Sequence, residues 1–278
     1  MGPTVTAPPL EIVRRAPARP LAGLVVRLTG YREPAPGWSS QREAAPLVAP
    51  LIISFGSPFL VALGREPGGE DRQSSFAAGL HPGPVYIRSD GRAECVQIDF
   101  TPLGAFGFFG VPMAELTSRM VDIVDILGRE GGRLRERLAA SPDWEARFDL
   151  VEGFIAERVR HQPSGGVAFA YARLARSGGA ARIETIAADL GWSRKHLAGR
   201  FRAEIGLGPK TVGRMMRFNK ACRLAASARS EGWASIAAAS GYADQAHLAR
   251  EFTEFAAEPP TAWAQRIAAV DERLLRLE

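Results

Sequence analysis

The sequence predicts an α+β chain with two parts. A β-rich N-terminal domain, cupin-like or a sandwich, carries trailing helices, and an all-α C-terminal domain holds two helix-turn-helix units joined by a long helix. Three observations predict this. Residues 21–100 hold short apolar runs cut by Pro/Gly turns, the texture becomes helical from Pro102, and a two-helix pattern at 183–205 recurs further along.

In chain order, the Pro-punctuated residues 1–20 (Pro3, Pro8, Pro9, Pro17, Pro20) read as a flexible leader and lack the apolar core of a secretory signal. The β-rich domain covers 21–160, with strand candidates at Leu47–Phe55, Pro58–Leu63, Val85–Arg88 and Cys95–Phe100 between the turns Pro67–Gly69, His81–Pro84 and Asp90–Gly91. Helical candidates follow in TPLGAFGFFG, Pro112–Leu127, Arg133–Ala140 and Asp143–Arg160, and HQPSGG at 161–166 marks the domain boundary. The C-terminal domain, 167–268, opens with a helix at Val167–Arg176.

In IETIAADLGWSRKHLAGRFRAEI (183–205), Ile183, Ile186, Ala187 and Leu190 recur at helical spacing, Gly191 stops the helix, and Ser193 is placed to cap the next one. In that second helix Leu197, Phe201 and Ile205 form one stripe. Lys195, Ala198, Gly199 and Arg202 lie opposite, flanked by Arg194, His196 and Arg200. A basic helix after a tight Gly turn is the arrangement that enters a major groove. The pattern returns: IAADLGW at 186–192 is echoed by IAAASGY at 236–242, and HLAGRF at 196–201 by HLAREF at 247–252. Such self-similarity indicates a duplicated unit. Two units on one chain can present reading helices to one duplex face about 34 Å apart. Between them Gly208–Pro209 starts a helix with an apolar stripe (Met215, Phe218, Cys222, Ala225) and a basic one (Lys210, Arg214, Arg217).

Charge follows the same division. Residues 161–278 hold 17 basic against 11 acidic residues and residues 1–160 hold 18 against 19, so the net +5 of the chain arises in the C-terminal part. Phosphate groups are the natural partner of such an excess. Cys95 and Cys222 stand far apart outside any CxxC pattern, which indicates neither a disulfide framework nor a zinc site. No metal and no cofactor is expected. No apolar run approaches the roughly 18 residues of a membrane span, so a cytoplasmic protein without a membrane partner is expected.

Residues 167–265 resemble the DNA-binding domain of the AraC/XylS family of transcription regulators, through IAADLGWSRKHLAGRFRAEIG, GPKTVGRMMRFNKACRL and IAAASGYADQAHLAREFTEFAAEPPTAW. YREPAPG (31–37), AGLHPGP (78–84) and TPLGAFGFFGVPMAEL (101–116) resemble an effector-type domain found before this module in high-GC bacteria. The resemblance implies a transcription regulator acting on double-stranded promoter DNA, mostly as an activator recruiting RNA polymerase, with an unknown small-molecule effector and a possible homodimer. It implies base reading by Lys195, Ala198 and Gly199, then by Gln245, Ala246, His247 and Arg250, with Arg194, His196 and Arg200 near phosphates. Ala198 and Gly199 stand where many relatives carry long polar side chains, which leaves the first helix few groups for base edges. The second unit has little net charge because Asp244, Glu251 and Glu254 offset Arg250.

Trp192 and Tyr242 are expected to be packing residues, and Asp99 a satisfied polar group on a strand. Trp38, His81, Tyr86 and Arg88 are the candidate effector contacts. Two other classes stay open: an alkylation-repair methyltransferase, which needs an activated cysteine, and a non-sensing DNA-binding protein whose first domain only dimerises.

Overall fold

Residues 10–34, 36–227 and 232–275 are described by a computed structural model of the chain, with side chains described up to residue 268. Strands β1 (Glu11–Arg15), β2 (Val25–Arg32), β3 (Ser39–Glu43), β4 (Ala49–Ser54) and β5 (Phe59–Leu63) are followed by β6 (Arg72–Gln73), β7 (Phe76–Ala78), β8 (Val85–Ser89), β9 (Glu94–Phe100) and β10 (Met120–Asp122). They form a six-stranded sheet, β1-β2-β9-β4-β7-β10, and a four-stranded sheet, β3-β8-β5-β6. All pairings of these strands are antiparallel. Period-two alternation turns Ser39, Gln41 and Glu43 of β3 and Val85, Ile87 and Ser89 of β8 inward, opposite Thr29, Tyr31, Cys95 and Gln97 of the larger sheet.

Two expectations need correction. The flexible leader is too long: Glu11–Arg15 pairs with Val25–Arg32 as an edge strand, and only residues 1–9 of the leader lie outside the described residues. The helix expected over Pro112–Leu127 is a 3-10 turn (Met113–Glu115), strand β10 and a short helix α2 (Ile123–Leu127). Its apolar residues serve a sheet edge rather than one helical stripe, because Met120–Asp122 pairs with Phe76–Ala78.

The other helices of this part are α1 (Pro102–Phe109), α3 (Arg129–Ala140) and α4 (Trp144–Arg158). Asp143 caps α4 by accepting from the Ala146 amide at 2.8 Å. Trp144 Nε1 donates to Glu11 at 2.7 Å, and the buried Arg147 donates to Glu94 at 2.8 Å and to the Leu138 carbonyl at 3.1 Å. Helix α4 is thus held to β1 and β9 by polar contacts at the edge of a core that contains Leu28, Ile98, Phe100 and Phe148. Asp99 is satisfied on its strand, accepting from Arg27 at 2.6 Å and from Gln97 at 2.7 Å.

The C-terminal part comprises α5 (Gly165–Arg176), α6 (Ile183–Asp189), α7 (Arg194–Ile205), α8 (Pro209–Ser227), α9 (Trp233–Ser240), α10 (Gln245–Ala256) and α11 (Pro260–Leu275). Gly191 and Gly241 take φ of 64° and 84°, the left-handed conformation that ends the first helix of each unit. Ser193 and Asp244 then cap α7 and α10, accepting from the amides of His196 at 3.1 Å and His247 at 2.7 Å. Helix α8 is buried on two sides. Val212 and Met216 join Leu197, Phe201 and Ile205 in the core of the first unit, while Met215, Phe218 and Ala221 join Leu248, Phe252 and Phe255 in that of the second.

The two parts are packed against each other. The segment between β3 and β4 forms a strap in which Ala45, fully buried, enters the core of the second unit and Leu47 touches both cores. The Ala45 amide donates to the Phe255 carbonyl at 2.9 Å, and Asn219 Nδ2 donates to the Ala45 carbonyl at 3.1 Å. Arg42 pairs with Glu258, which also accepts from Arg266 at 2.7 Å. Leu80 is buried in the core of the first unit. Gly206, at φ 98°, lies so close to Thr117 and the Met113 carbonyl that a Cβ there would stand 2.5 Å from Thr117 Oγ1. Ala45→Leu should overfill this contact and cost about 1–3 kcal/mol, read as a lower denaturant midpoint at unchanged slope.

Candidate nucleic-acid interface and ligand cavity

The residues that could meet DNA arise from the starts of α7 and α10 and from one side of α8. On α7 the side chains of Arg194, Lys195 and His196 and the backbone of Gly199 are exposed, as are Arg200 and Arg202, and Ala198 is half-buried. On α10 Gln245, Ala246 and Arg250 are exposed and His247 is half-buried. Lys210, Arg214, Arg217, His247 and Arg250 surround one cleft of about 520 Å³ between the two units. The α7 residues lie outside that cleft.

Exposure alone does not leave a cation available, because several are already paired. Arg214 donates to Glu251 at 2.8 Å and forms a second pair with Glu254, the carboxylates of α10. These hydrogen bonds, that to Glu254 foremost, raise the guanidinium pKa above its ordinary value. Arg217 donates to the Gly179 carbonyl at 3.1 Å and lies 3.6 Å from Glu251. The expected basic stripe of α8 therefore divides: Lys210 is exposed, whereas Arg214 and Arg217 clamp α8 to α10 and to the turn before α6. Glu251 and Glu254 are paired with Arg214 rather than with Arg250, and Asp244 caps α10.

Arg200 is also engaged. It donates at 2.7 Å to Glu204, the single acid of the 194–223 block, which is buried and accepts from the Ser164 amide at 2.7 Å. Glu204 thereby ties the end of α7 to the cap of α5. Arg194 pairs with Glu184 at 3.1 Å, both largely exposed, and a backbone hydrogen bond, aided by the guanidinium, holds the Glu184 carboxyl below its usual range. Among the described residues Lys195, Arg202, Lys210 and Arg250 make no ion pair.

The repeated aromatics pack rather than protrude. Trp192 sits edge-on to His196 at 4.6 Å, and Tyr242 to His247 at 5.2 Å. The same ring-on-histidine contact thus orients the first turn of both exposed helices. The burial of Glu204 was not legible in the sequence, because a lone acid in a basic block carries no mark of burial, and Glu251 stood out there only as one of three acids of the second unit.

Inside the first domain the two sheets enclose a cavity of about 250 Å³. Its walls are mainly apolar, with Ile52, Phe59, Val61, Phe76, Ile87 and Met120, and its polar side carries Arg14, Arg27, Thr29, Gln41, Glu43 and Gln97. Of the four expected effector contacts the structure brings only His81 to this cavity. Its Nδ1 lies 2.9 Å from Ser118 Oγ, Nε2 is buried without a hydrogen-bond partner, and burial lowers its pKa. Tyr86 and Arg88 alternate to the outer face of β8, where Tyr86 stacks under Arg42 and Arg88 over the exposed Trp38. The strand period that turns Val85, Ile87 and Ser89 toward the cavity turns them away from it.

Glu43 ends β3 at the start of the strap. Glu43 is exposed, its accessible surface lines the cavity, and the protein crowded around the carboxyl pushes its pKa up; Asp99 adds to the shift and Arg27 opposes it. Both cysteines are likewise raised, to about 12, by burial. Thiols so held in the protonated form lack the activation that methyl transfer requires.

These features define a two-part architecture, a β-rich domain packed on a tandem helix-turn-helix domain. The family described as Helix-turn-helix domain matches residues 186–266, spanning both units. A comparison with curated proteins found no match. Among solved structures, the chain is similar to the C-terminal domain of AraT, a response regulator from Geobacillus stearothermophilus (20% identity, 38% of this chain and 88% of that one, TM-score 0.36). Over 95% of its length, and 97% of the other, it is similar to unsaturated fatty acid bound ToxT from Vibrio cholerae strain SCE256 (9% identity, TM-score 0.46). The AraC-like transcriptional activator CuxR is similar at 16% identity over 73% of this chain and 84% of that one, with TM-score 0.28.

Replacing Arg214 by Ala should leave Glu251 without its main partner and lower unfolding stability by about 1–3 kcal/mol, seen in thermal or urea melts. Arg250→Ala, on an exposed unpaired side chain, should leave the melt unchanged. For Glu43 the folded pKa lies above the unfolded one, so the unfolded state loses its proton first and stability falls as pH rises through the unfolded value. Glu43→Gln should therefore raise the melting temperature at neutral pH and change it little in acid, as pH-dependent melts would show.

Proposed function

We propose that the chain is a cytoplasmic, sequence-specific DNA-binding transcription regulator whose first domain responds to a small molecule. The observation that carries this reading is the duplicated unit braced on α8, which leaves Lys195, Arg202, Lys210 and Arg250 exposed and unpaired on the elements that approach a duplex. In this reading α7 acts chiefly as an electrostatic anchor, with Lys195 reading a guanine edge, worth about 1–3 kcal/mol where the contact is bidentate. Gln245, His247 and Arg250 supply most of the discrimination, Gln245 suiting an adenine. Ala198 and Gly199 let the α7 backbone approach the groove closely. The cavity and the strap support effector response, since one loop both lines the cavity and is hydrogen-bonded to the end of α10. The AraC/XylS resemblance extends the reading to an activator that contacts RNA polymerase and to a homodimer.

Duplex affinity of the full chain should fall steeply with salt, by a log–log slope of about −0.9 per phosphate neutralised; a flat response in fluorescence anisotropy would sink the reading. Lys195→Ala should relax preference at one base position, and Lys210→Ala should weaken all duplexes alike. Selection of bound sequences from a random pool distinguishes the two, and identical selectivity profiles would count against the assignment.

A further inference from the structure

The basic excess of the chain belongs to its second part, yet one strongly cationic cleft lies in the first. The end of α1, the exposed side of α3 and the end of α4 enclose about 460 Å³, a volume within the roughly 300–1,000 Å³ of small-molecule sites. Four arginines line it, Arg133 and Arg137 from α3 and Arg158 and Arg160 from the end of α4 and just beyond it, against two carboxylates, Glu130 and Glu157. Arginine stays charged in proteins, so four against two leaves a surplus of two positive charges. The cleft shares no lining residue with the cavity between the sheets or with the cleft between the helix-turn-helix units.

Internal pairing absorbs little of that surplus. Glu130 is spent on Arg158, whose Nη1 donates to it at 2.6 Å, while the Nε of the same guanidinium is buried and finds no acceptor. Arg160 reaches only the Glu157 backbone carbonyl, at 3.4 Å, and the Glu157 side chain stays exposed. Arg133 and Arg137 are exposed and, among the described residues, make no ion pair and no side-chain hydrogen bond. They stand one helical turn apart, about 6 Å along α3, a spacing at which like charges weaken a helix. An anion placed between them reverses the sign of that interaction.

A guanidinium fork takes an oxyanion in bidentate fashion, one acidic group to a fork. A single carboxylate would leave the opposite wall unsatisfied, whereas two acidic groups on a short frame can engage both. The half-buried Phe154 and the buried Leu134 give that frame a small apolar floor. We propose that this cleft binds a small polyanion with at least two acidic groups, phosphoryl or carboxylate, held by Arg133 and Arg137 on one side and by Arg158 and Arg160 on the other. The site stands independently of the proposed DNA-binding function.

The test uses the purified full chain with pyrophosphate and citrate as probes, which separate the phosphoryl source from the carboxylate one, and with acetate at matched ionic strength as the singly charged control. Calorimetric titration should show at least one probe binding in a one-to-one complex, more tightly than acetate by about tenfold or more. The double variant Arg133→Gln/Arg137→Gln alters exposed, unpaired side chains, so it should lower that affinity by a similar factor without lowering the thermal melt. Lys210→Ala/Arg250→Ala, on the surface assigned to DNA, should leave the affinity unchanged. The proposal is overturned if neither probe binds, if acetate binds as well as both, or if the Arg133/Arg137 variant binds the probe as tightly as wild type. Loss of probe binding in the Lys210/Arg250 variant would place the anion on the duplex surface and would also overturn it.

Discussion

Helix α8 has to satisfy two cores at once, and the arrangement of the C-terminal domain depends on that constraint. Val212 and Met216 point into one unit and Met215, Phe218 and Ala221 into the other, so a rotation of α8 that improved one packing would open a cavity in the other. Close packing makes such a helix a rigid spacer. The two exposed helices consequently inherit a fixed separation and orientation, and in the proposed function this limits the ordering cost of binding at two grooves.

Electrostatics divides along the same helix. The half-buried Arg214 and Arg217 are consumed internally by Glu251, and the exposed Arg200 by Glu204, because a desolvated carboxylate without a partner would be costly. What remains for an external polyanion is the set of long side chains whose heads stay in water. A basic block of nine residues with one acid, counted along 194–223, overstates the available charge, since part of it is internal structure.

The strap joins the two halves of the molecule physically. It leaves β3 at Glu43, where the side chain faces the cavity, and two residues later Ala45 is fully buried between α8 and α10. Few segments place a cavity wall and a domain contact so close in sequence. The strap is tied to α10 by the backbone hydrogen bond from Ala45 to Phe255 and to α8 by the Asn219 side chain.

The sequence by itself determined the features that are local or repeated: the turn glycines Gly191 and Gly241, the caps Ser193 and Asp244, the apolar stripe of α8, and the packing of Trp192 and Tyr242. These follow from helical periodicity and cap chemistry, which need no knowledge of distant residues. The strands of the first domain were only partly legible. Glu11–Arg15, with two arginines and only two strongly apolar residues, and Ser39–Glu43, which is wholly polar, have little hydrophobic signal and become strands through their neighbours' hydrogen bonds. Only the tertiary structure decided which cations are free, that Tyr86 and Arg88 face outward while His81 and Glu43 line the cavity, and that the strap at 44–48 enters the core of the second unit. Those outcomes rest on strand register and on contacts between residues far apart in the chain, Arg42 with Glu258 and Arg214 with Glu251, and no local pattern encodes such pairings.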